Sequence, residues 1–527
     1  MTGIEIPLQS EKKLHYRLFE ILPGALTWTI LTAPFWLSLI APTITALIII
    51  AFFLLWLVRA IGLNIRVLQG YRMMQTQIKL DWAKMLDDIT DPKDTYNREF
   101  PKWHNDIKKR LIEKEPMIAP DEIIHAVFIA AYNEGVEVLE PTIKAVLASD
   151  FDSKKMILVM AYEGRDGAQS KTAVQAMIKK YANKFMEALA YEHPLTEGEV
   201  RGKGGNITYA GRQLQKYLKS KQIDPLKVMV TTLDSDNRPH KSYFSALSYV
   251  VAATPDPVRV SYQPIPMFTN NIWDVPAPMR VIATGNSFWN IVLSLRPHVL
   301  RNFASHAQSM KALIDTDFWS TRTIVEDGHQ YWRSYFKFEG KYEVYPLYIP
   351  IYQDAVLSSN YRKTLKAQFI QLRRWAWGAS DVAYVADKAF FSKNKISKTD
   401  KIFKFLRLLE GHVSWATAPI ILAFAAFVPL LLNPDNYTAN QLPLIASRIQ
   451  TVALVGIFVT FFLSIKTLPP KPKRYKSHKS IFMVLQWVLL PVTTIMFNAM
   501  AALVSQTRLM LGRYLDNFDV TDKVVKK

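Results

Sequence analysis

No cysteine occurs anywhere in the 527 residues. That absence excludes disulfide scaffolds, Cys-ligated zinc, iron–sulfur clusters and thiol nucleophiles, so any nucleophile or metal ligand must be oxygen or nitrogen. A second absence is of charge. Between Glu20 and Arg59 no residue is charged, a length that matches about two bilayer crossings of roughly 20 residues each, with Pro42 at the turn. A cleavable signal peptide has a far shorter apolar core, so a membrane hairpin is expected here. A third absence is of acid. The stretch Lys466–Lys479 carries Lys466, Lys471, Lys473, Arg474, Lys476 and Lys479 without a carboxylate.

What is present fits these gaps. Half of the residues are hydrophobic, and 65 Lys+Arg against 45 Asp+Glu give a net charge of +20. The length and composition fit more than one folded domain and exclude a disordered or fibrous chain. Three further uncharged runs, Gly411–Pro434, Ile449–Ile465 and Ser480–Thr507, lie near the C-terminus. The positive-inside rule puts the basic linker in the cytoplasm, with Lys12, Lys13 and Arg17 ahead of the first crossing. The expected organisation is a transmembrane hairpin over 1–70, a connector over 71–120, a cytoplasmic domain over 121–400, membrane and interfacial helices over 401–511, and a cytoplasmic tail over 512–527. A cytoplasmic tail requires that Ser480–Thr507 not be a simple fifth crossing. Pro491 is expected to break it into a re-entrant or interfacial pair.

The central region reads as α/β. His125–Ala131, Lys155–Ala161 and Lys227–Leu233 are short runs rich in Val, Ile, Leu and Met, followed by helix-like segments near Val136–Ala148, Ala168–Tyr191 and Lys241–Ala252. Such alternation implies a parallel sheet. In open sheets of this kind ligands bind beyond the carboxyl ends of the strands. All three runs end in carboxylates there: Tyr132-Asn133-Glu134, Glu163-Gly164-Arg165-Asp166 and Asp234-Ser235-Asp236. Taken singly, each is more often a solvated turn or a helix N-cap. Two carboxylates two residues apart, as in Asp234 and Asp236, can hold a hard divalent cation together with phosphate oxygens.

Other segments bring complementary chemistry. Arg201-Gly202-Lys203-Gly204-Gly205-Asn206 reads as a flexible glycine loop whose cations could meet a diphosphate, although it lacks Walker spacing. Glu326 and Asp327 form an acid pair in an aromatic neighbourhood; their alternatives are a general base raised by desolvation or an ion pair with Arg333 or Arg322. His329 reads as structural or as a polar surface residue rather than a metal ligand, since no second histidine lies at ligand spacing. Gln371-Leu372-Arg373-Arg374-Trp375 combines a flat ring with a guanidinium, which suits either a membrane interface or a sugar beside a diphosphate.

Taken in order, these motifs resemble the membrane-embedded family 2 glycosyltransferases, which include cellulose synthase and hyaluronan synthase. Tyr132-Asn133-Glu134 is similar to the first-strand nucleotide motif, Asp234-Ser235-Asp236 to the metal-binding Asp-x-Asp, Glu326-Asp327 to Thr-Glu-Asp, and Gln371 to Trp375 to Gln-x-x-Arg-Trp. In the tail, Phe518-Asp519-Val520-Thr521-Asp522-Lys523 resembles the Phe-x-Val-Thr-x-Lys gating loop of cellulose synthases. The chain departs from the family pattern at Ala131 (Pro), at Val325 (Thr) and at the second strand, where the family motif is Asp-rich.

The resemblance implies a cytoplasmic GT-A-like, Rossmann-like domain inserted between N- and C-terminal transmembrane bundles of a plasma-membrane hexosyltransferase. It implies inverting transfer from a UDP- or GDP-sugar to a glycan or lipid-linked acceptor. Asp327 would be the base and Glu326 its catalytic neighbour, with Mg²⁺ or Mn²⁺ on Asp236 and Asp234. Tyr132, Glu134, Glu163, Asp166, Lys203, Asp234, Arg374, Phe518, Thr521 and Lys523 would bind the donor, and Gln371 and Trp375 the acceptor. Processive synthesis coupled to translocation is expected, with a nonprocessive transferase as the alternative and a non-catalytic transporter or scaffold as a remote one. Membrane lipids are expected partners, and so few spans suggest a homo-oligomer or an accessory subunit. Nucleic acid is not expected, because much of the positive charge flanks the membrane segments.

Overall fold

A computed structural model describes residues 3–93, 96–164, 168–194, 196–476 and 479–515. Asp166, Phe518, Thr521 and Lys523 lie outside the described residues.

The centre of the molecule is one mixed eight-stranded sheet. Its strands are β1 (Ile124–Ala131), β2 (Met156–Glu163), β3 (Glu187–His193), β4 (Val228–Asp234), β5 (Arg238–Pro239), β6 (Val260–Met267), β7 (His306–Ser309) and β8 (Glu343–Tyr352). They are ordered β3-β2-β1-β4-β7-β6-β8-β5. The four strands β3, β2, β1 and β4 are mutually parallel, whereas β7 runs antiparallel to both β4 and β6. The parallel sheet expected from the sequence is therefore only half of the sheet.

The apolar runs are continuous because the central strands are covered on both faces. Along β1, Val127, Ile129 and Ala131 pack with Leu139, Ile143 and Val146 of the helix Val136–Leu147 and with Phe244, Leu247 and Val251 of Tyr243–Ala253. The alternate residues Ala126 and Phe128 pack on the other face with Ile207, Ala210, Leu214 and Leu218 of the helix Lys203–Ser220.

Two local expectations are corrected. The helix expected over Ala168–Tyr191 ends at Tyr181, and Glu187–His193 is instead β3. Its Glu-Ala-Leu-Ala sequence favours helix, but pairing with β2 overrides that preference. The glycine segment is not a loop either, since Lys203, Gly204, Gly205 and Asn206 form the first turn of a helix. A Cβ on Gly204 would lie 2.3 Å from the Ser320 carbonyl oxygen, so this glycine serves close approach rather than flexibility.

Four helices among the described residues are long and apolar enough to cross a membrane: Leu14–Ile40, Pro42–Gln77, Tyr437–Lys466 and Ser480–Met510. The run Gly411–Pro434 is carried mainly by Lys398–Phe424 and Phe427–Leu432. Pro491 does not fold the last segment back on itself. The backbone stays right-handed helical at Leu485, Leu489, Thr493 and Ala499, tightening to a 3₁₀ turn before the proline and loosening to a π turn after it. Such turns absorb the missing N–H without a reversal. Both ends of this segment pack on the α/β domain: Met483 clusters with Trp273, Val275 and Met279, and Leu509 with Ile324, Val325 and Trp377.

Candidate active site

The carboxyl ends of β1, β2 and β4 open into a cavity of about 190 Å³. Its walls include Tyr132, Glu134, Glu163, Lys203, Asp234 and Asp236. Glu326, Asp327, Gln371, Arg374 and Trp375 complete it from the opposite side. Every predicted site residue among those described therefore reaches one cleft.

The strand ends are fixed by side chains whose bonds are internal. The Glu134 carboxylate accepts the backbone N–H of Tyr132 at 2.7 Å and of Asn133 at 3.2 Å, and its other oxygen accepts the Ser235 hydroxyl at 2.7 Å. It thus ties the β1 loop to the Asp-Ser-Asp loop. Asn206 is buried and donates its amide to the carbonyls of Ala161 at 3.0 Å and Ala131 at 3.4 Å, clamping the ends of β2 and β1. Asp236 accepts the backbone N–H of Asp354 at 2.9 Å, and its own carbonyl accepts the Asn270 amide at 3.0 Å.

Lys203 joins the two acidic halves. Its ammonium donates to Asp234 Oδ1 at 2.7 Å and to the Ala304 carbonyl at 3.0 Å. Burial alone would favour loss of its proton, but Asp234 and Glu326, with Asp327, outweigh that and hold its pKa above the ordinary lysine value. Glu326 and Asp327 begin the helix Glu326–Lys337. Burial raises both carboxyl pKa values; proximity to Asp327 raises that of Glu326 further, while Lys203 opposes the rise in both. Asp327 also accepts the Gly328 N–H at 2.7 Å and feels the positive charge of Arg374.

The ion-pair alternative for this acid pair does not hold. Arg333 pairs with Glu5 at 2.6 Å, and Arg322 donates to the Ile6 carbonyl at 2.7 Å. His329 bonds Asp381 at 2.7 Å inside the core, as its structural reading requires.

At the second strand, Glu163 lies 3.5 Å from His193 Nδ1, while Glu199 lies 3.0 Å from Nε2. Burial would lower the His193 pKa, but the two carboxylates raise it to about 9. Trp375 lies in the last turn of the helix Tyr361–Ala376 and packs tilted against Phe268, with ring centroids 6.0 Å apart. Gln371 accepts the Gln368 amide at 3.2 Å.

Two lining residues went unseen in the sequence reading. Gln353 and Asp354 follow β8 directly and line the cleft. Asp354 is again a carboxylate just past a strand, as at β1, β2 and β4, but β8 lacks their unbroken apolar run.

No family model matches the chain, and no curated protein matches it. Among solved structures it is similar to a mannosyltransferase from Pyrobaculum calidifontis in complex with GDP-Man and Mn²⁺, at 15% identity and a TM-score of 0.43, over 84% of this chain and 99% of that one. It is also similar to S. aureus TarS 1-349 in complex with UDP, at 12% identity and a TM-score of 0.35, over 67% and 94%. For the complex of TarS 1-349 with UDP-GlcNAc the values are 12%, 0.32, 76% and 95%. Likenesses this distant leave the chemistry to be read from the site itself.

Proposed function

We propose that this cleft is the active site of an inverting, metal-dependent glycosyltransferase of the membrane-embedded family 2 type. The observation that carries the reading is convergence: Asp234, Asp236, Glu326, Asp327, Lys203, Arg374 and Trp375, drawn from separated motifs, line one cavity.

The donor is a UDP- or GDP-sugar, and the acceptor a glycan or lipid-linked sugar. Asp327 takes the proton from the acceptor hydroxyl as that oxygen bonds the anomeric carbon. The bond from that carbon to the diphosphate breaks on the opposite face, which inverts the configuration. The nucleoside diphosphate leaves as an anion, so no general acid is required, in contrast to glycosidases. Lys203 and Arg374 supply positive charge toward the diphosphate, and Trp375 with Gln371 receives the acceptor. Glu163 and Asp166 bind the donor nucleotide. Glu134 acts by holding the loops that carry Tyr132 and Asp236.

The donor set fits a hard cation. Asp234 and Asp236 offer only oxygen, and among the described residues no cluster of three or more His, Cys, Asp or Glu side chains surrounds a metal position. Asp234 and Asp236 would be the residues that hold such an ion, and their carboxylate oxygens suit Mg²⁺ or Mn²⁺. When bound, Mg²⁺ or Mn²⁺ would neutralise charge that builds on the departing diphosphate.

The α/β domain is cytoplasmic, set between an N-terminal hairpin and C-terminal membrane and interfacial helices of the plasma membrane. The tail, with Phe518, Thr521 and Lys523, covers the bound nucleotide. Product is extended processively and passed across the membrane, in an oligomer or with an accessory subunit.

The test is nucleoside-diphosphate release by detergent-purified protein across UDP- and GDP-sugars, with and without Mg²⁺ or Mn²⁺, beside Asp236→Asn and Asp327→Asn. Metal-dependent release from one donor, lost in both variants, is expected. Release that survives Asp327→Asn would remove that residue as the base, and silence with every donor would refute the transferase reading.

A further inference from the structure

A cluster of arginines lies outside the cleft, where three elements meet. The helix Pro42–Gln77 packs against Ala277–Ser294: a Cβ on Gly70 would stand 2.6 Å from Ile291, and Val67 shares a cluster with Ile291 and Val292. The end of that second helix and the segment after it pack Leu293, Val299 and Leu300 against Phe405, Leu408 and Leu409 of Lys398–Phe424. Arg59 closes the third side by donating to Glu410 at 2.9 Å.

Charge at this junction is one-sided. The strongest charges acting on the half-buried Arg296 are those of Arg407, Arg66, Glu410 and Arg59, three guanidiniums and one carboxylate. Glu410 is already taken by Arg59, and among the described residues Arg66, Arg296 and Arg407 form no ion pair. Burial, then repulsion by Arg407 and Arg66, lowers the Arg296 pKa. His298 beside it is likewise lowered, by burial and by Arg296, Arg407, Arg301 and Arg66. Like charges at a partly buried junction are unfavourable unless an anion completes it.

The position selects the anion's form. Arg59 is the first charge after the uncharged run and lies about 25 Å along the helix from Pro42, at 1.5 Å per residue, close to one hydrocarbon thickness of roughly 30 Å. On both helices exposed apolar side chains flank the arginines: Val58, Ile61 and Ile65 on one, Ile402, Phe403 and Leu406 on the other. A ligand here meets guanidiniums at its head and hydrocarbon beside it. Planar guanidiniums suit phosphate oxygens in pairs.

We propose that Arg66, Arg296 and Arg407, with Arg59, bind the phosphate headgroup of an anionic membrane lipid at the junction of Pro42–Gln77, Lys398–Phe424 and the segment after Ser294. The site rests on Pro42–Gln77 being a membrane helix, and not on the transferase chemistry.

The experiment measures lipid retention and melting of the full chain in detergent with added phosphatidylglycerol, phosphatidylcholine or inorganic phosphate. The variants are Arg66→Gln/Arg296→Gln/Arg407→Gln, the single Arg296→Gln, and Lys471→Gln/Lys473→Gln/Lys476→Gln in the exposed basic linker. Wild type and the linker variant should retain phosphatidylglycerol at least tenfold more tightly than the triple arginine variant, with the single variant in between and no discrimination for phosphatidylcholine. Without lipid the arginine variants should melt no lower than wild type, because each substitution removes repulsion. Equal retention by wild type and the triple variant would overturn the site, as would equal loss in the linker variant. Protection by inorganic phosphate equal to that by the lipid would overturn the lipid as its source, and a chain that stays in solution without detergent would overturn the membrane placement.

Discussion

Replacing Gly204 by alanine tests how closely the two halves of the cleft are joined. An added Cβ would stand 2.3 Å from the Ser320 carbonyl oxygen and 3.1 Å from Glu326 Cβ. A comfortable carbon–oxygen approach is about 3.3 Å, so something must move by roughly 1 Å. Neither side is idle: Gly204 follows Lys203 in the first turn of Lys203–Ser220, and Ser320 bonds Glu5, the partner of Arg333 on the acid-pair helix. Relief therefore displaces Lys203 or Glu326. Overpacking of this kind costs about 1–3 kcal/mol, partly offset by the better helix propensity of alanine, while a misplacement of about 1 Å can cost roughly 100-fold in rate. Gly211→Ala is the comparison, since its Cβ would meet the Phe318 ring at 2.6 Å, two turns further along the same helix. Melting temperature and nucleoside-diphosphate release are read for both variants. Gly204→Ala should lose far more activity than stability, and Gly211→Ala stability with little activity. Wild-type activity and melting in Gly204→Ala would refute the close-approach argument, and equal activity losses in the two variants would refute its link to the site.

Two further variants probe charge and acceptor. Lys203→Met removes the cation that opposes the raised pKa values of Glu326 and Asp327. Asp327 must be ionised to take a proton, so the acid limb of the rate profile should move to higher pH; an unchanged limb, or a move to lower pH, would refute the coupling. Stability should fall by about 3 kcal/mol, the low end for breaking a buried pair, because Asp234 remains 35% exposed. Trp375→Ala should weaken acceptor use roughly tenfold, from about 1 kcal/mol of aromatic contact beyond lost area, while donor hydrolysis changes less; equal loss of both would remove the acceptor role.

The strand ends were legible because burial on both faces writes itself as an unbroken apolar run, and a carboxylate directly after such a run stands out. Asp354 carried the same mark but followed β8, whose Tyr- and Pro-rich sequence does not read as a buried strand. Asn206 was visible only as the end of the glycine segment, because its clamp on Ala131 and Ala161 exists only once helix and strands are assembled. The glycines around it read as flexibility because composition cannot distinguish a loop from a close approach. Partners remote in sequence were also hidden. Arg333 is held by Glu5, and no local pattern announces that pairing.

The segment Ser480–Met510 illustrates how contacts decide what hydropathy leaves open. It has 31 residues, about 46 Å of helix at 1.5 Å per residue, ample to cross hydrocarbon of roughly 30 Å. A crossing, however, leaves a domain on one side of the bilayer in contact with only one end. Here Met483 packs with Trp273 and Met279 of the α/β domain, and Leu509 with Ile324 and Val325 just ahead of Glu326. Gln486 between them accepts a hydrogen bond from the buried Arg280 at 2.5 Å. Contact with the domain at both ends favours a path along it over a simple crossing. Arg17 donates to the carbonyls of Leu509 and Met510 at 2.7 and 2.5 Å, and the Tyr514 hydroxyl donates to Glu20 at 2.6 Å. If Leu14–Ile40 enters the membrane after Lys12, Lys13 and Arg17, Tyr514 lies on that same side. Tyr514 and Leu515 then stand packed against Ile324 and Val325, beside the acid pair.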